Sequence, residues 1–433
     1  MPEAVGRTEM KSKTFWVLLI LVIMSVMTVA WMFLVPYIES PVRDLSYDID
    51  WSFINKGLDR IHSFSDTGRW WTSTWCGEVP FWRPLTSYVF WIERLIWPSG
   101  YMLPRQIVSI LLHLCFVLMA GILVWRLTRN PWVTLLTVYL FGGIRIGSIY
   151  PLLGSVTDTL SDPKNIPDPL VGMAMLISLM LLMNGRWKAA LIAAMISTGF
   201  KETGYMTWFL APLVLLWQYR HNMSNQWREY VANSIRRNLV PIITWTVVLI
   251  ALAAIHYSAV GFGLQQGENR NWLCKVTVYH LGPVLNGLFT PNLAEPVIAI
   301  LIATILIGFR RFSIILRLIG ILIAVAIGVL TDVYIGKTSW EVSITQLLIC
   351  HVYWILAYIV WLLLAWEARH EWQIISLTLA MSAITAAPTW FATQVLTHAR
   401  YVSALFMEIA VAVAICRSIS AVVNKSKARR DLV

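Results

Sequence analysis

Three aspartates follow the first long apolar segment of the chain, at positions 44, 48 and 50. Acidic residues are scarce, because the 433 residues include only 23 Asp and Glu. A carboxylate in this place can act as a general base that takes a proton from an attacking hydroxyl or amine. The alternative is a group of solvated loop charges. Asp48 and Asp50 are the candidates for the base, and the choice between them stays open.

Several basic residues lie at the ends of apolar segments, where a charge needs a partner or a ligand. Arg145 either extends to the lipid headgroups or contacts a lipid phosphate with its guanidinium fork. Arg83, next to Pro84, has the same two interpretations. Lys201 and Glu202 interrupt an apolar stretch. They pair with each other or cap the flanking helices, or Lys201 holds a donor phosphate.

Two further polar residues are candidates for a supporting role. Asp168 ends the proline-rich loop "SDPKNIPDPL". Its carboxylate is solvated, or it helps the first-loop acids to position an acceptor or a divalent ion. His113 lies inside an apolar segment, either as a hydrogen-bonded core residue or as a ligand of the site. There is no CxxC or HExxH pattern, so we assign no metal and no cofactor.

The composition indicates a membrane protein. Hydrophobic residues make up 58% of the chain and charged residues 13%, and the mean hydropathy is +0.66. A soluble domain carries about 25% charged residues. Apolar blocks long enough for a bilayer predict an all-α polytopic fold of about twelve transmembrane helices, near 15–38, 105–125, 132–150, 169–184, 187–200, 204–219, 239–259, 293–309, 312–330, 343–366, 373–390 and 401–417.

Basic residues predict the orientation, because loops rich in Lys and Arg stay in the cytoplasm. The segments that carry basic clusters include Arg126 and Arg129, Arg186 and Lys188, Arg236 and Arg237, and the tail 418–433. Both termini are therefore expected in the cytoplasm, with 39–104, 151–168, 260–292, 331–342 and 391–400 on the other side. The net charge of +11 is then a topology signal. It predicts no nucleic-acid partner, because no basic soluble domain is present.

The first outer loop, 39–104, is expected to hold two amphipathic helices in the plane of the membrane face. One follows Asp50 and the other spans Leu85 to Trp97. The second large outer loop is 260–292, and the whole chain 1–433 forms one transmembrane domain. Cys76 and Cys274 fall in these two loops. They form a disulfide or remain two free thiols.

Several short segments occur in an order that resembles a known family. They are "YDIDWSFIN", "FWRPLTSYVFWIERL", His113, Lys201-Glu202 within "ISTGFKETGYMTW", the loop that ends at Asp168, and "HARYVSALF". Together they resemble GT-C glycosyltransferases, in particular the protein O-mannosyltransferase-like members. The sequence departs from that pattern where Ile49 splits the acidic pair and where Ala399 precedes Arg400.

The resemblance implies an integral membrane glycosyltransferase with a polyprenyl-phosphate-linked sugar donor. The acceptor would be a lipid, a glycan or a protein on the non-cytoplasmic face. It implies Asp48 or Asp50 as the catalytic base and a donor phosphate held by Arg83, Lys201 and Arg400. Arg145 is added to these phosphate-binding candidates because of its position near the end of an apolar segment. The membrane would be the plasma (inner) membrane of a bacterium or the endoplasmic reticulum of a eukaryote, and membrane lipids are the other expected partners.

The alternative is a non-catalytic membrane protein, either a lipid-linked-sugar transporter or a structural subunit of a membrane assembly. A transporter is expected to have charges or broken helices near the middle of the membrane. The charged candidates of this sequence instead fall at one predicted edge of the spans. That distribution favours an enzyme that works at one face.

Overall fold

A computed structural model of the chain describes residues 49–75, 81–97, 102–144, 163–218, 235–261, 371–390 and 401–430, and a few single positions outside those ranges. The described residues form α-helices with short 3₁₀ and π segments and no strand. In chain order the α-helices are α1 (Ile49–Asp59), α2 (Pro84–Ile96), α3 (Met102–Thr128), α4 (Pro131–Tyr139), α5 (Pro167–Met183), α6 (Trp187–Phe200), α7 (Met206–Gln218), α8 (Leu239–Val260), α9 (Trp372–Trp390) and α10 (Tyr401–Arg430).

Local sequence explains where several of these helices begin. Proline occupies the first turn of α2, α4 and α5, where its missing N–H costs no hydrogen bond. Before α4, the side chain of Asn130 accepts hydrogen bonds from the backbone N–H groups of Trp132 and Val133. Between α5 and α6, Gly185 has φ +73°, a backbone conformation that favours glycine.

The core is a bundle in which α3 packs against α4 and α5, α5 against α6 and α7, and α10 against α4, α5 and α9. Apolar side chains from all of these helices form the buried core, in which Phe116, Met175 and Phe406 are fully buried. Helices α3 and α5 approach closely because Gly172 faces Phe116. A Cβ at position 172 would lie 2.6 Å from the Phe116 ring.

The bundle has two chemically distinct ends. At one end, which we call the basic end, Arg126 of α3 donates a 3.0 Å hydrogen bond to Asn184 in the α5–α6 turn. Arg186 and Lys188 follow in that turn and the start of α6. At the other end, which we call the site end, lie the starts of α2, α5 and α7 and the end of α6. The charged candidates of the sequence analysis that the structure describes fall at the site end.

Two helices, Leu103–Thr128 and Leu239–Val260, are long and apolar enough to cross a membrane. Shorter apolar helices cover four further segments of the described chain. The all-α prediction holds for the described residues. The predicted spans 293–309, 312–330 and 343–366 lie outside them, and only single positions of 15–38 are described.

Two elements differ from the predicted spans. The helix expected over 132–150 ends as an α-helix at Tyr139 and continues as a π-helical turn, Leu140–Ile144. Gly142 and Gly143 explain the change, because glycine stabilises a regular helix poorly. The second difference is that α10 extends beyond the predicted span and through the basic tail to Arg430.

The first loop forms a smaller core beside the bundle. Ile54 and Leu58 of α1 pack with Trp70, Trp75 and Phe90. Helix α1 is tied to α2 because Arg94 donates to the backbone oxygen of Asn55 and forms an ion pair with Asp59. Helix α2 is amphipathic, as the sequence predicts, but its exposed face is the apolar one: Ile92, Leu95 and Ile96 are 49–67% exposed.

Candidate functional site

Arg83 and Glu202 form a bidentate ion pair at the site end of the bundle. Arg83 Nη2 lies 2.8 Å from Glu202 Oε2, and Arg83 Nε lies 3.2 Å from Oε1 and 3.0 Å from Oε2. The pair joins positions 119 residues apart in the chain. Such a fork fixes both side chains in one plane, since two parallel N–H groups meet one carboxylate.

The loop and helix around Arg83 hold its guanidinium in place. Arg83 is the residue before α2, and α2 is anchored to α6 because Thr86 donates a hydrogen bond to the backbone oxygen of Phe200. The guanidinium carbon lies 4.7 Å from the ring centre of Trp75 and 4.3 Å from that of Phe81. An arginine over aromatic faces is stabilised by the negative potential of the rings.

Lys201 and Asp168 form a second ion pair, which is buried. Lys201 Nζ lies 2.6 Å from Asp168 Oδ1, and the two side chains are only 6% and 3% exposed. Asp168 occupies the first turn of α5, where the helix N-terminus favours a negative charge. Its other oxygen, Oδ2, is buried and accepts no hydrogen bond. Lys201 and Glu202 therefore do not pair with each other, and Lys201 makes no side-chain cap.

The turn after α6 brings the two ion pairs side by side. The backbone of Lys201 is extended, and a 3₁₀ turn covers Glu202–Tyr205 before α7 begins. Gly204 folds back onto α6 so closely that a Cβ there would lie 2.1 Å from the backbone oxygen of Ser197. Only glycine fits this approach, and it allows Lys201 and Glu202 to point to different partners.

The four charges, from Arg83, Asp168, Lys201 and Glu202, sum to zero and influence one another. Burial alone would raise the pKa of Glu202, but the charge and hydrogen bonds of Arg83 outweigh it and hold that pKa below its usual value. Burial lowers the pKa of Lys201, and the charge of Asp168 opposes that shift. We call this group the four-charge cluster.

His113 lies deeper in the bundle and is a hydrogen-bonded core residue, one of the two interpretations from the sequence. Its Nδ1 lies 2.6 Å from the hydroxyl of Tyr401 at the start of α10, and both side chains are fully buried. Phe116 and the π-turn residue Phe141 pack against Tyr401, with ring centres 5.0 and 5.4 Å away. The pair links α3 to α10 just inside the site end.

Tyr205, His256 and Trp82 lie near the four-charge cluster, and none of them was predicted as a site residue. The Tyr205 hydroxyl lies 3.2 Å from His256 Nδ1, and the His256 ring lies 5.7 Å from Trp82. This contact brings the end of α8 to Glu202 and its neighbours. The available signal was a single histidine near the end of a long apolar helix, in "AAIHYSAV".

The structure brings together four of the predicted site residues, namely Arg83, Asp168, Lys201 and Glu202. Asp50 is the second residue of α1, and the structure describes its backbone but not its side chain. Asp48, Arg145, Arg400 and both cysteines of the predicted disulfide, Cys76 and Cys274, lie outside the described residues. The predictions for those positions remain predictions.

The arrangement offers one buried cation, Lys201, and one partly buried cation, Arg83, whose positions are fixed by acids. Glu202 uses the Nε and Nη2 groups of Arg83, so Nη1 is not engaged by Glu202. Such a site can recognise an anion through a fork already held in place. Among the described residues, no group of three or more His, Cys, Asp or Glu side chains is placed to hold a metal ion.

Glu93 is a second unusual acid, on the buried face of α2. It is 4% exposed, and neither carboxylate oxygen has a hydrogen-bond partner. Burial raises the pKa of Glu93 from 4.5 to about 7, and the charge of nearby Arg105 opposes the shift. Between those two values the folded protein keeps a proton that the unfolded chain releases, so the free energy of unfolding falls as the pH rises.

We therefore expect wild-type protein to lose roughly 2–3 kcal/mol of stability between about pH 5 and about pH 8 through this group. The Glu93→Gln variant should lack that loss and be the more stable protein at about pH 8. Thermal melting across this pH range measures the difference. Asp66→Asn is the control, because hydrogen bonds from Ser63 lower the pKa of Asp66. Its effect should be constant over the same range, and parallel curves for wild type and Glu93→Gln would contradict the prediction.

Comparison of the chain with protein-family models, with curated proteins and with solved structures gives no significant match.

Proposed function

We propose that this chain is a multi-pass membrane glycosyltransferase that moves a sugar from a polyprenyl-phosphate donor to a lipid, glycan or protein acceptor. The observation that carries the proposal is the convergence of Arg83, Asp168, Lys201 and Glu202 at one end of the bundle. All four were candidates from the sequence pattern, and they come from three separate segments of the chain. The termini are proposed to lie in the cytoplasm and the four-charge cluster at the opposite face.

In the proposed reaction, Asp48 or Asp50 removes the proton from the acceptor hydroxyl or amine. The freed electron pair attacks the anomeric carbon of the sugar, and the bond from that carbon to the phosphate oxygen breaks with inversion. Polyprenyl phosphate leaves with the bonding electrons. Arg83 and Lys201 stabilise the charge that develops on it, together with the further candidates from the sequence, Arg145 and Arg400.

The carboxylates of the cluster have a positioning role in this scheme. Glu202 orients the Arg83 fork, and Asp168 holds Lys201 at the end of α6. Groups that are already ordered lose less entropy when the phosphate binds. Burial also strengthens each contact, because the effective dielectric is lower than in water.

A second candidate is a non-catalytic subunit or transporter of the same membrane. The observation that favours it is the pairing itself: both cations already have a carboxylate partner within hydrogen-bond distance. In that case the four-charge cluster joins α2, α5 and α6 and has no ligand.

Donor binding and sugar transfer in proteoliposomes separate the two candidates. Polyprenyl-phosphate mannose and polyprenyl-phosphate glucose are the donors to test first. Arg83→Gln should weaken donor binding by about 10- to 100-fold, the usual effect of losing a charged hydrogen bond. The matched control is Arg94→Gln, because Arg94 lies in α2, which Arg83 precedes, and has other partners, Asn55 and Asp59. No transfer and no donor binding by the wild-type protein would reject the glycosyltransferase.

The proposed orientation is tested by labelling with an impermeant thiol reagent. Asp48→Cys and Asp50→Cys should react from outside intact cells, because the first loop is proposed to be non-cytoplasmic. A cysteine in the tail, at Lys425 for example, should react only after permeabilisation. The reverse pattern would invert the topology.

A further inference from the structure

A cavity of about 300 Å³ lies between α5, α7 and α8, and none of the residues of the four-charge cluster lines it. Its size is at the lower end of the range for small-ligand sites. Most of its lining is apolar, from Leu182, Trp208, Ala211, Leu215, Ile242 and Trp245. We call this cavity the α7–α8 slot.

The slot runs along α8 from the basic end of the bundle towards its middle. Ile235 and Asn238 line it before α8 begins, and Thr246 lines it within α8. Trp208 and Trp245 pack edge to face at the inner end, with ring centres 5.1 Å apart. Along the side, Ile242 is 37% exposed, so the slot is open beside α8.

Two exposed arginines lie beside lining residues of the slot in the chain. Arg236 and Arg237 lie between the lining residues Ile235 and Asn238, and both are exposed. The slot belongs to the same end of the bundle as Arg126, Arg186 and Lys188, since Leu182 lies two residues before Asn184. An apolar slot beside two exposed arginines is complementary to a lipid with an apolar chain and an anionic head.

We infer that the α7–α8 slot binds an acyl chain of an anionic phospholipid, with the headgroup phosphate at Arg236 and Arg237. The lining of the slot is mostly apolar, as an acyl chain requires. Basic residues at this end fit the anionic lipids of the cytoplasmic leaflet. The inference rests on the proposed membrane placement and is independent of the sugar-transfer chemistry.

Photo-crosslinking of the purified full-length protein in nanodiscs tests the site. The probe is phosphatidylglycerol with a photoreactive acyl chain, and phosphatidylcholine with the same chain is the comparison. The crosslinks from phosphatidylglycerol should concentrate on peptides of α7 and α8 that line the slot. Ala211→Trp fills the slot and should remove those crosslinks. Ile192→Trp is the matched control, because Ile192 is 59% exposed on α6 and lies outside the lining.

The headgroup is tested by Arg236→Gln combined with Arg237→Gln. Each basic group near a membrane surface contributes about a fivefold preference for anionic lipid. The double variant should therefore reduce the preference for phosphatidylglycerol by about thirtyfold. Arg186→Gln with Lys188→Gln is the control at the same end and should have a smaller effect, because neither position is next to a lining residue in the chain. If Ala211→Trp lowers the melting temperature of the protein, the smaller substitution Ala211→Leu is used to fill the slot in the crosslinking experiment.

Three results would overturn the inference. Crosslinks spread evenly over the exposed helices would mean that the slot is no site. Equal labelling by the two phospholipids would remove the anionic headgroup. Displacement of phosphatidylglycerol by a lower concentration of polyprenyl phosphate would assign the slot to another lipid. All three are measured without a sugar donor, so failure here is distinct from failure of the proposed enzyme.

Discussion

Replacement of Lys201 by methionine is expected to lower the free energy of unfolding by about 3–5 kcal/mol, because it leaves the buried carboxylate of Asp168 without its partner. The two side chains are 6% and 3% exposed, so water cannot replace the lost contact. Asp168→Leu should have a similar cost for the reciprocal reason. Unfolding in mixed micelles measures both changes.

The double variant, Lys201→Met with Asp168→Leu, should return the stability to within about 1 kcal/mol of wild type, since no charge is then buried alone. The exposed pair of Arg417 and Glu371 provides the control, with side chains 46% and 24% exposed. Arg417→Met should cost no more than about 1 kcal/mol. A Lys201→Met variant as stable as wild type would mean that the ion pair contributes nothing to the fold.

The same double variant distinguishes a binding site from a structural contact. If Lys201 holds a donor phosphate, the double variant should recover its stability but bind the polyprenyl-phosphate donor more weakly than wild type does. If the pair serves only to join α5 and α6, all functions should recover with the stability. A stable double variant with unchanged donor binding would remove Lys201 from the proposed site.

Much of the fold could be predicted from the sequence, because each described helix of the bundle corresponds to an apolar block. The break between α6 and α7 was predicted from Lys201-Glu202, since charges end an apolar segment. The π turn at Leu140–Ile144 was missed. The hydropathy of that segment stays high through Gly142 and Gly143, and hydropathy carries no information on helix type.

The pairing within the candidate site could not be predicted. Arg83 and Glu202 are 119 residues apart, and Asp168 and Lys201 are 33 residues apart. No periodicity links such positions, so a sequence shows which charges are unusual but not which ones meet. Tyr401 lies in the segment "HARYVSALF", which resembles the GT-C pattern. Its contact with His113 depends on how α10 lies beside α3, and only the tertiary structure shows that arrangement.

If the chain is the proposed glycosyltransferase, its catalytic base has the largest expected effect on activity. Replacing it by asparagine keeps the size of the side chain and removes the proton acceptor, so turnover should fall by about 10²–10⁴-fold. Donor binding should change little, because the base contacts the acceptor. Lys201→Ala and Arg83→Ala should instead weaken donor binding. They should also slow turnover where the contact strengthens as charge builds on the leaving phosphate.

Between the two acids we favour Asp48, which lies seven residues before Asn55, the spacing of the first acid in the GT-C glycosyltransferases that the sequence resembles. Asp50 is the second residue of α1, and an acid at a helix N-terminus is favourable for stability alone. The experiment compares sugar transfer by wild type, Asp48→Asn and Asp50→Asn with a polyprenyl-phosphate donor. Asp59→Asn is the control, because it removes an acid at the other end of the same helix. A large loss in Asp50→Asn alone would move the base to Asp50, and full activity in both variants would remove it from this loop.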